Sequence, residues 1–243
     1  MKPLLPKQHG AWAMLLVPFL LGIGVGEAAW LHIPLFISWL FLYLATYPLL
    51  MAIKNKKRKL HIKWSIIYLV PALIALSIVL LADYQFIFFG LIMIPFFIIN
   101  AYYAKQNNER ALLNDFSAIS VFGIGGSASY FAGTGTLDFM AFAVWVLSIL
   151  FFIGSTFFVK TMIREKRNPK YRLISWGFHA SVIILLIVSG QILLTIAYLP
   201  SLIRAIYLYG KSMSMMKIGI LEIVNSAFFL IATLLVISRI NGQ

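Results

Sequence analysis

The chain has 243 residues, 62% of them hydrophobic and only 11% charged, with a net charge of +13 and no cysteine. A mean hydropathy of +0.94 excludes a water-soluble globular domain, because apolar runs of about 20 residues match the roughly 30 Å hydrocarbon core of a bilayer. The absence of cysteine excludes disulfides, thiolate ligands and thiol nucleophiles. The basic residues sit in short clusters between apolar stretches, which is a topology pattern and not a nucleic-acid-binding surface.

Hydropathy and its breaks predict an all-α, polytopic transmembrane bundle of about nine spans, forming a single membrane domain over residues 1–243. In chain order the spans are expected at residues 11–26, 33–53, 64–82, 86–104, 116–133, 139–159 and 173–189. The stretch 192–209 follows, apolar but interrupted by Pro200 and Arg204, and 218–237 closes the chain. If 192–209 crosses the bilayer, nineteen of the twenty Lys and Arg residues fall on one side and only Arg239 on the other; if it does not, the split is seventeen to three. The positive-inside rule favours the first count and puts the N-terminus in the cytoplasm of a multi-pass cell-membrane protein. A signal-peptide reading of the first span is weaker, since Pro18 and the following glycines continue it without a clean cleavage pattern.

Polar residues near the expected inner surface are the first candidates for chemistry. The run Pro6-Lys7-Gln8-His9-Gly10-Ala11-Trp12 has an ordinary reading as an interfacial anchor, with Lys7 snorkelling and Trp12 in the aromatic belt. Its functional reading sets Lys7, Gln8 and His9 against a lipid headgroup or phosphate. Asn100 and Tyr103 lie near an inner helix end, and the stretch Glu109-Arg110 with Asn114-Asp115 is the densest in carboxylates. There, Asn114 or Asp115 is expected to cap the fifth helix and Glu109 to pair with Arg110. The alternative makes Asp115 and Glu109 acids, bases or cation ligands at the mouth of a cytoplasmic cavity, with His9 moving protons alongside, although two carboxylates alone make a weak metal site. Lys160 and Arg164, four apart, share a face if the sixth helix continues, and with Lys166, Arg167, Lys170 and Arg172 they form either a topology signal or an anion pocket.

Within the apolar stretches, Glu222 lies five residues beyond Lys217, about 7–8 Å deeper in a helix, with Asn225 on nearly the same face. An unpaired carboxylate in hydrocarbon is costly, so Glu222 is expected to pair with Arg204. The lone His179 reads as a hydrogen-bonded packing residue. Gly123, Gly125 and Ala128 formally match a G-x-G-x-x-A dinucleotide fingerprint, but no strand precedes them and small residues, Gly126 among them, are what close helix packing in lipid requires. No cofactor is implied, and no metal-ligand spacing is present.

On the motif Pro6 to Trp12, on Asn100 to Tyr103 followed by Glu109 to Asp115, and on the closing segment Lys217 to Asn225, the chain resembles the YwiC-like family of bacterial integral membrane proteins. The resemblance covers nearly the whole chain and implies a fold and a location, not an activity. A more distant likeness is to the UbiA-type prenyltransferase superfamily, which implies nine helices, a cytoplasmic N-terminus and an inward-facing cavity for a prenyl diphosphate. Members of that superfamily hold magnesium with Asp-rich motifs after the second and sixth helices. Here those places carry Lys54-Asn55-Lys56-Lys57 and Lys160 to Arg164, so nothing there would hold the cation.

Three functions fit these residues. The first is a cytoplasm-facing cavity for an amphiphile with an anionic head, degenerate and prenyltransferase-like, in which membrane lipids are the natural partners. The second is a transporter or accessory subunit using Glu222 and Arg204. The third is a scaffold with no site. Scarce polarity on the outer side, at Glu27, His32, Asp83 and Asp138, favours one-sided access. The oligomeric state is not readable.

Overall fold

A computed structural model describes residues 3–6, 9–55, 57–166 and 168–241, excluding the side chains of His9, Ile240 and Asn241. Among the described residues the chain is all-helical. The helices are α1 His9–Val25, α2 His32–Ile53, α3 Arg58–Ala82, α4 Phe86–Lys105, α5 Leu112–Thr134, α6 Phe139–Ile163, α7 Pro169–Val188, α8 Thr195–Tyr207 and α9 Met215–Asn241. A single 3-10 turn, Ile192–Leu194, leads into α8. By length and composition α2, α3, α4, α6, α7 and α9 can each cross a membrane, while α1 and α8 are apolar but shorter.

Several helices outrun the apolar stretches that announce them. α3 starts six residues before residue 64, within the basic run, and α6 continues past Lys160 to Ile163. A helix keeps its own hydrogen bonds after leaving hydrocarbon, so charge ends the apolar run without ending the helix. The expected cap of α5 by Asn114 or Asp115 is not what forms. The helix begins earlier, Ala111 occupies the cap position without a side-chain bond, and the Asn114 amide donates to the Glu109 carbonyl at 2.7 Å.

The chain divides into two compact units, with the boundaries inside α1 and α6. One comprises Pro18–Trp145 with the first residues of the chain; the other comprises His9–Val17 with Val146–Gln243. In the first unit α5 is the central element, buried along Phe122–Phe131. Its small residues let the backbone of α1 approach closely: a Cβ at Gly126 would sit 2.7 Å from the Pro18 carbonyl oxygen, and one at Gly22 would meet the Gly126 carbonyl. A hydrogen bond across the same seam uses a side chain that costs little space: Ser129 Oγ donates to the Phe19 carbonyl at 2.8 Å. From α2, His32 Nε2 donates to the Ser129 carbonyl at 2.8 Å.

Asp138, in the short connection before α6, does what the expected Asn114 or Asp115 cap would have done at α5. Its Oδ1 accepts from the amides of Met140 at 2.8 Å and Ala141 at 3.2 Å, and Tyr130 donates to Oδ2 at 2.9 Å. Some loss of hydration pushes its pKa up although the residue is exposed, but these hydrogen bonds outweigh it and hold the carboxyl below its ordinary 3.8. A depressed carboxylate pKa stabilises the fold above the ordinary value, and that contribution disappears as pH falls below 3.8 toward the folded-state value. Asp138→Ala is therefore expected to cost about 1 kcal/mol near neutral pH, as for other helix N-caps. In detergent unfolding the gap to wild type should narrow as the pH falls below 3.8; a gap that stays constant with pH would contradict the assignment.

The second unit is built on α6, α7, α8 and α9. Tyr198 Oη donates to the Leu147 carbonyl at 2.8 Å, and the Phe158, Met162, Ala205 and Ile218 side chains form one buried cluster. These contacts make α8 run parallel to α6 and antiparallel to α9. The Trp176 Nε1 bond to the Ala205 carbonyl, 2.9 Å, sets the start of α7 beside the end of α8. The ends of α6 and α8 therefore lie with the starts of α7 and α9, the arrangement expected of successive crossings. With 13 residues, α8 is about 20 Å long.

Candidate functional site

In the first unit, α2 and α4 both end in left-handed turns, with Asn55 at φ 57° and Asn107 at φ 55°; asparagine tolerates this conformation better than most residues. The turns bring Lys54 to Glu109, and the two form an ion pair. Glu109 thus reaches Lys54 across the fold, and its sequence neighbour Arg110 makes an interaction of its own. The side chain of Lys54 is 7% exposed and that of Glu109 34%. Asn114 buttresses this loop through its bond to the Glu109 carbonyl. Asn100 spends its amide on the Phe96 carbonyl one turn back, 3.0 Å, and Tyr103 packs edge-on against Tyr102. Asp115 is half-buried in the first turn of α5 and is engaged. Lys7, Gln8 and the side chain of His9 lie outside the described residues.

The second unit holds the more telling arrangement. Arg204 and Glu222 form an ion pair in which both side chains are under 10% exposed. Ser155 on α6 donates to the other Glu222 oxygen, and the Arg204 guanidinium lies 4.4 Å from the centre of the Phe158 ring. One turn further along α9, Asn225 donates to Ser201 Oγ at 2.9 Å. The carboxylate is therefore satisfied on both oxygens, as a buried charge must be. Ser155 carries no sequence signal, since a serine in an apolar helix is ordinary. On the far side of this network from Lys160, Phe151 and Phe229 stack at 4.1 Å with Tyr198 against them.

His179 also belongs to this unit. Its Nδ1 donates to the Ser175 carbonyl at 2.7 Å, so the neutral ring presents a bare lone pair at Nε2. That nitrogen is buried without a partner, next to Gly154, where a Cβ would sit 3.0 Å away.

At the end of the unit where α6 and α8 finish and α7 and α9 begin, cations and aromatic rings alternate. Lys160 is only 8% exposed and engaged; Arg164, just past the end of α6, is exposed. The Arg172 guanidinium lies 5.2 Å from the Trp176 ring centre and 5.3 Å from that of Tyr209, and its Nε is buried with no hydrogen-bond partner. Lys211 sits 3.2 Å from the Tyr207 ring centre. Arg172 is visible in the sequence as one more basic residue; the two rings that orient it are separated from it by four and thirty-seven positions, and only folding assembles them. Among the described residues no group of three or more His, Asp or Glu side chains could hold a metal ion.

An all-helical chain with this many apolar helices, a buried charge pair among them and basic groups at helix ends is a polytopic integral membrane protein. It belongs to the YwiC-like family, whose model matches residues 5–130. The chain is 46% identical over 239 residues, 98% of its length and all of the relative's, to a protein of Bacillus subtilis named "Uncharacterized protein YwiC". It is also 40% identical over 234 residues, 96% of this chain and 98% of the relative, to an "Uncharacterized protein" of Haemophilus influenzae. No solved structure matches the chain.

Proposed function

We propose that this chain is a nine-span protein of the bacterial cytoplasmic membrane, with its N-terminus inside, that binds an amphiphile with a phosphate-like anionic head at the cytoplasmic helix ends of its second unit. The observation that carries the reading is Arg172. A guanidinium set against two rings that meet edge-on is fixed in place by both, and its buried Nε–H is left unspent, which suits a phosphate oxygen better than bulk water. Lys160, Arg164 and Lys211 supply further positive charge at the same helix ends, where anionic headgroups concentrate. The nineteen-to-one division of Lys and Arg supports the topology. Transport is the weaker reading, because a charge leaving the Arg204–Glu222 pair toward the outer side meets the Phe151, Tyr198 and Phe229 rings.

The test is mass spectrometry of lipids retained in mild detergent by the wild type, by Arg172→Lys and by a Lys160→Ala, Arg164→Ala double variant. One phosphorylated amphiphile is expected above its membrane proportion in the wild type and lost in both variants, since a lysine point charge cannot replace a planar fork set against two rings. Retention of bulk lipids in membrane proportions by all three proteins would leave the basic residues as topology signals and overturn the reading.

A further inference from the structure

The first unit contains a cavity of about 200 Å³ that the anionic-head reading does not use. It lies at the opposite end of α2 from the Lys54–Glu109 pair, lined by the first half of α2, the second half of α3, the first half of α4 and the middle of α5. Its inner wall is the Trp39 indole, which rests on Gly125 where a Cβ would come within 2.6 Å of the ring. Phe19, Phe86 and Phe89 add aromatic surface. The mouth is formed by Ile87, Gly90, Leu91 and Ile94 on the exposed face of α4, the face that meets lipid in a membrane-spanning helix.

Besides the Trp39 indole, one side chain with a polar group lines this space. Ser38 is 1% exposed and its hydroxyl has no hydrogen-bond partner, although a serine in a helix can bond to the carbonyl one turn back. A buried hydroxyl without a partner carries a desolvation cost that a matching group would remove. Apolar cavities of about 150 Å³ stay dry and take up small hydrocarbons, so an alkyl or ring group fits this space better than water does.

We propose that the cavity is a lateral binding site for an uncharged alkyl amphiphile carrying a neutral oxygen, such as a fatty alcohol or ester, which enters between α3 and α4. The oxygen pairs with Ser38 and the chain trails past Gly90 into the bilayer. A neutral oxygen dissolved in hydrocarbon lacks partners just as Ser38 does, so pairing them satisfies both groups at once. A charged head is excluded, because no cationic side chain lines the cavity.

Gly90 makes the test clean. A Cβ added there meets nothing within 4 Å, so the backbone accepts Gly90→Phe and its ring is placed to block the mouth. The full-length protein in lipid nanodiscs is photolabelled with a diazirine analogue of octanol and, separately, of octane, and the labelled peptides are mapped. Saturable labelling by the octanol probe is expected in the peptides around Ser38–Leu42 and Phe86–Met93, abolished in Gly90→Phe at unchanged thermal stability. In Ser38→Ala the octanol probe should lose about 2–10-fold in half-saturating concentration, the worth of one hydrogen bond, while the octane probe is unaffected. Non-saturable labelling of the exposed faces of α3 and α4, indifferent to Gly90→Phe, would overturn the site. Equal binding of both probes, indifferent to Ser38→Ala, would overturn the oxygen-bearing ligand.

Discussion

Glu222→Gln is expected to destabilise the protein by about 3–5 kcal/mol, the cost of removing one partner from a buried ion pair. Glutamine keeps the shape of the side chain and can still accept from Arg204, so the loss comes from charge and not from a cavity. The guanidinium is then left with a net charge beside the Phe158 ring, and its Nε already has no partner. Ser155 loses an anionic acceptor at the same time. Thermal unfolding in mild detergent measures the effect. The double variant Glu222→Met, Arg204→Met is expected to recover most of the loss, since a buried pair replaced by apolar groups of similar size is often neutral or better. Wild-type stability in Glu222→Gln would show that the pair carries no ionic interaction. Stability lost equally in the double variant would assign the effect to packing.

The pairing of Arg204 with Glu222 is legible in the sequence because hydrocarbon allows a charge so few options. With only seven acidic residues in the chain, a carboxylate deep in one apolar stretch and a cation in the preceding one nearly dictate each other. Where the chain leaves the membrane that constraint lapses. Glu109 has Arg110 beside it in sequence, yet it pairs with Lys54, fifty-five positions earlier, because two left-handed asparagine turns bring the ends of α2 and α4 together. Nothing in local spacing encodes that. The α5 start shows the same limit: Asn114 and Asp115 are good capping residues, but the helix begins at Leu112, and Asn114 serves the preceding loop instead.

The cavity in the first unit was not legible for a different reason. Every residue that lines it except Ser38 and the two glycines is an ordinary apolar or aromatic member of a membrane helix, and sequence cannot tell a group that packs from one that borders empty space. The lone hydroxyl becomes informative only when its missing partner is known. The same holds for Arg172, whose meaning depends on two rings supplied by α7 and by the turn after α8.

The seam between α1 and α5 provides the second large effect. Gly22→Ala and Gly126→Ala are each expected to destabilise by about 1–3 kcal/mol, the usual cost of forcing a methyl group into a closed interface. The argument rests on what the new methyl group meets. At Gly22 the nearest atoms are the Gly126 carbonyl and the Tyr130 amide, and at Gly126 the Pro18 backbone. Backbone in a helix cannot swing aside as the end of a side chain can, so the two helices must separate. Separation would also lengthen the Ser129 bond to the Phe19 carbonyl. Gly177 and Gly219 are the controls, each inside a helix with nothing within 4 Å of the place an added methyl group would take. There alanine should be neutral or should stabilise by about 0.5–1 kcal/mol through its higher helix propensity. Unfolding midpoints of the four single variants decide the matter. A uniform response would mean that glycine acts only through backbone freedom; losses confined to Gly22 and Gly126 would locate its role in the closeness of α1 to α5.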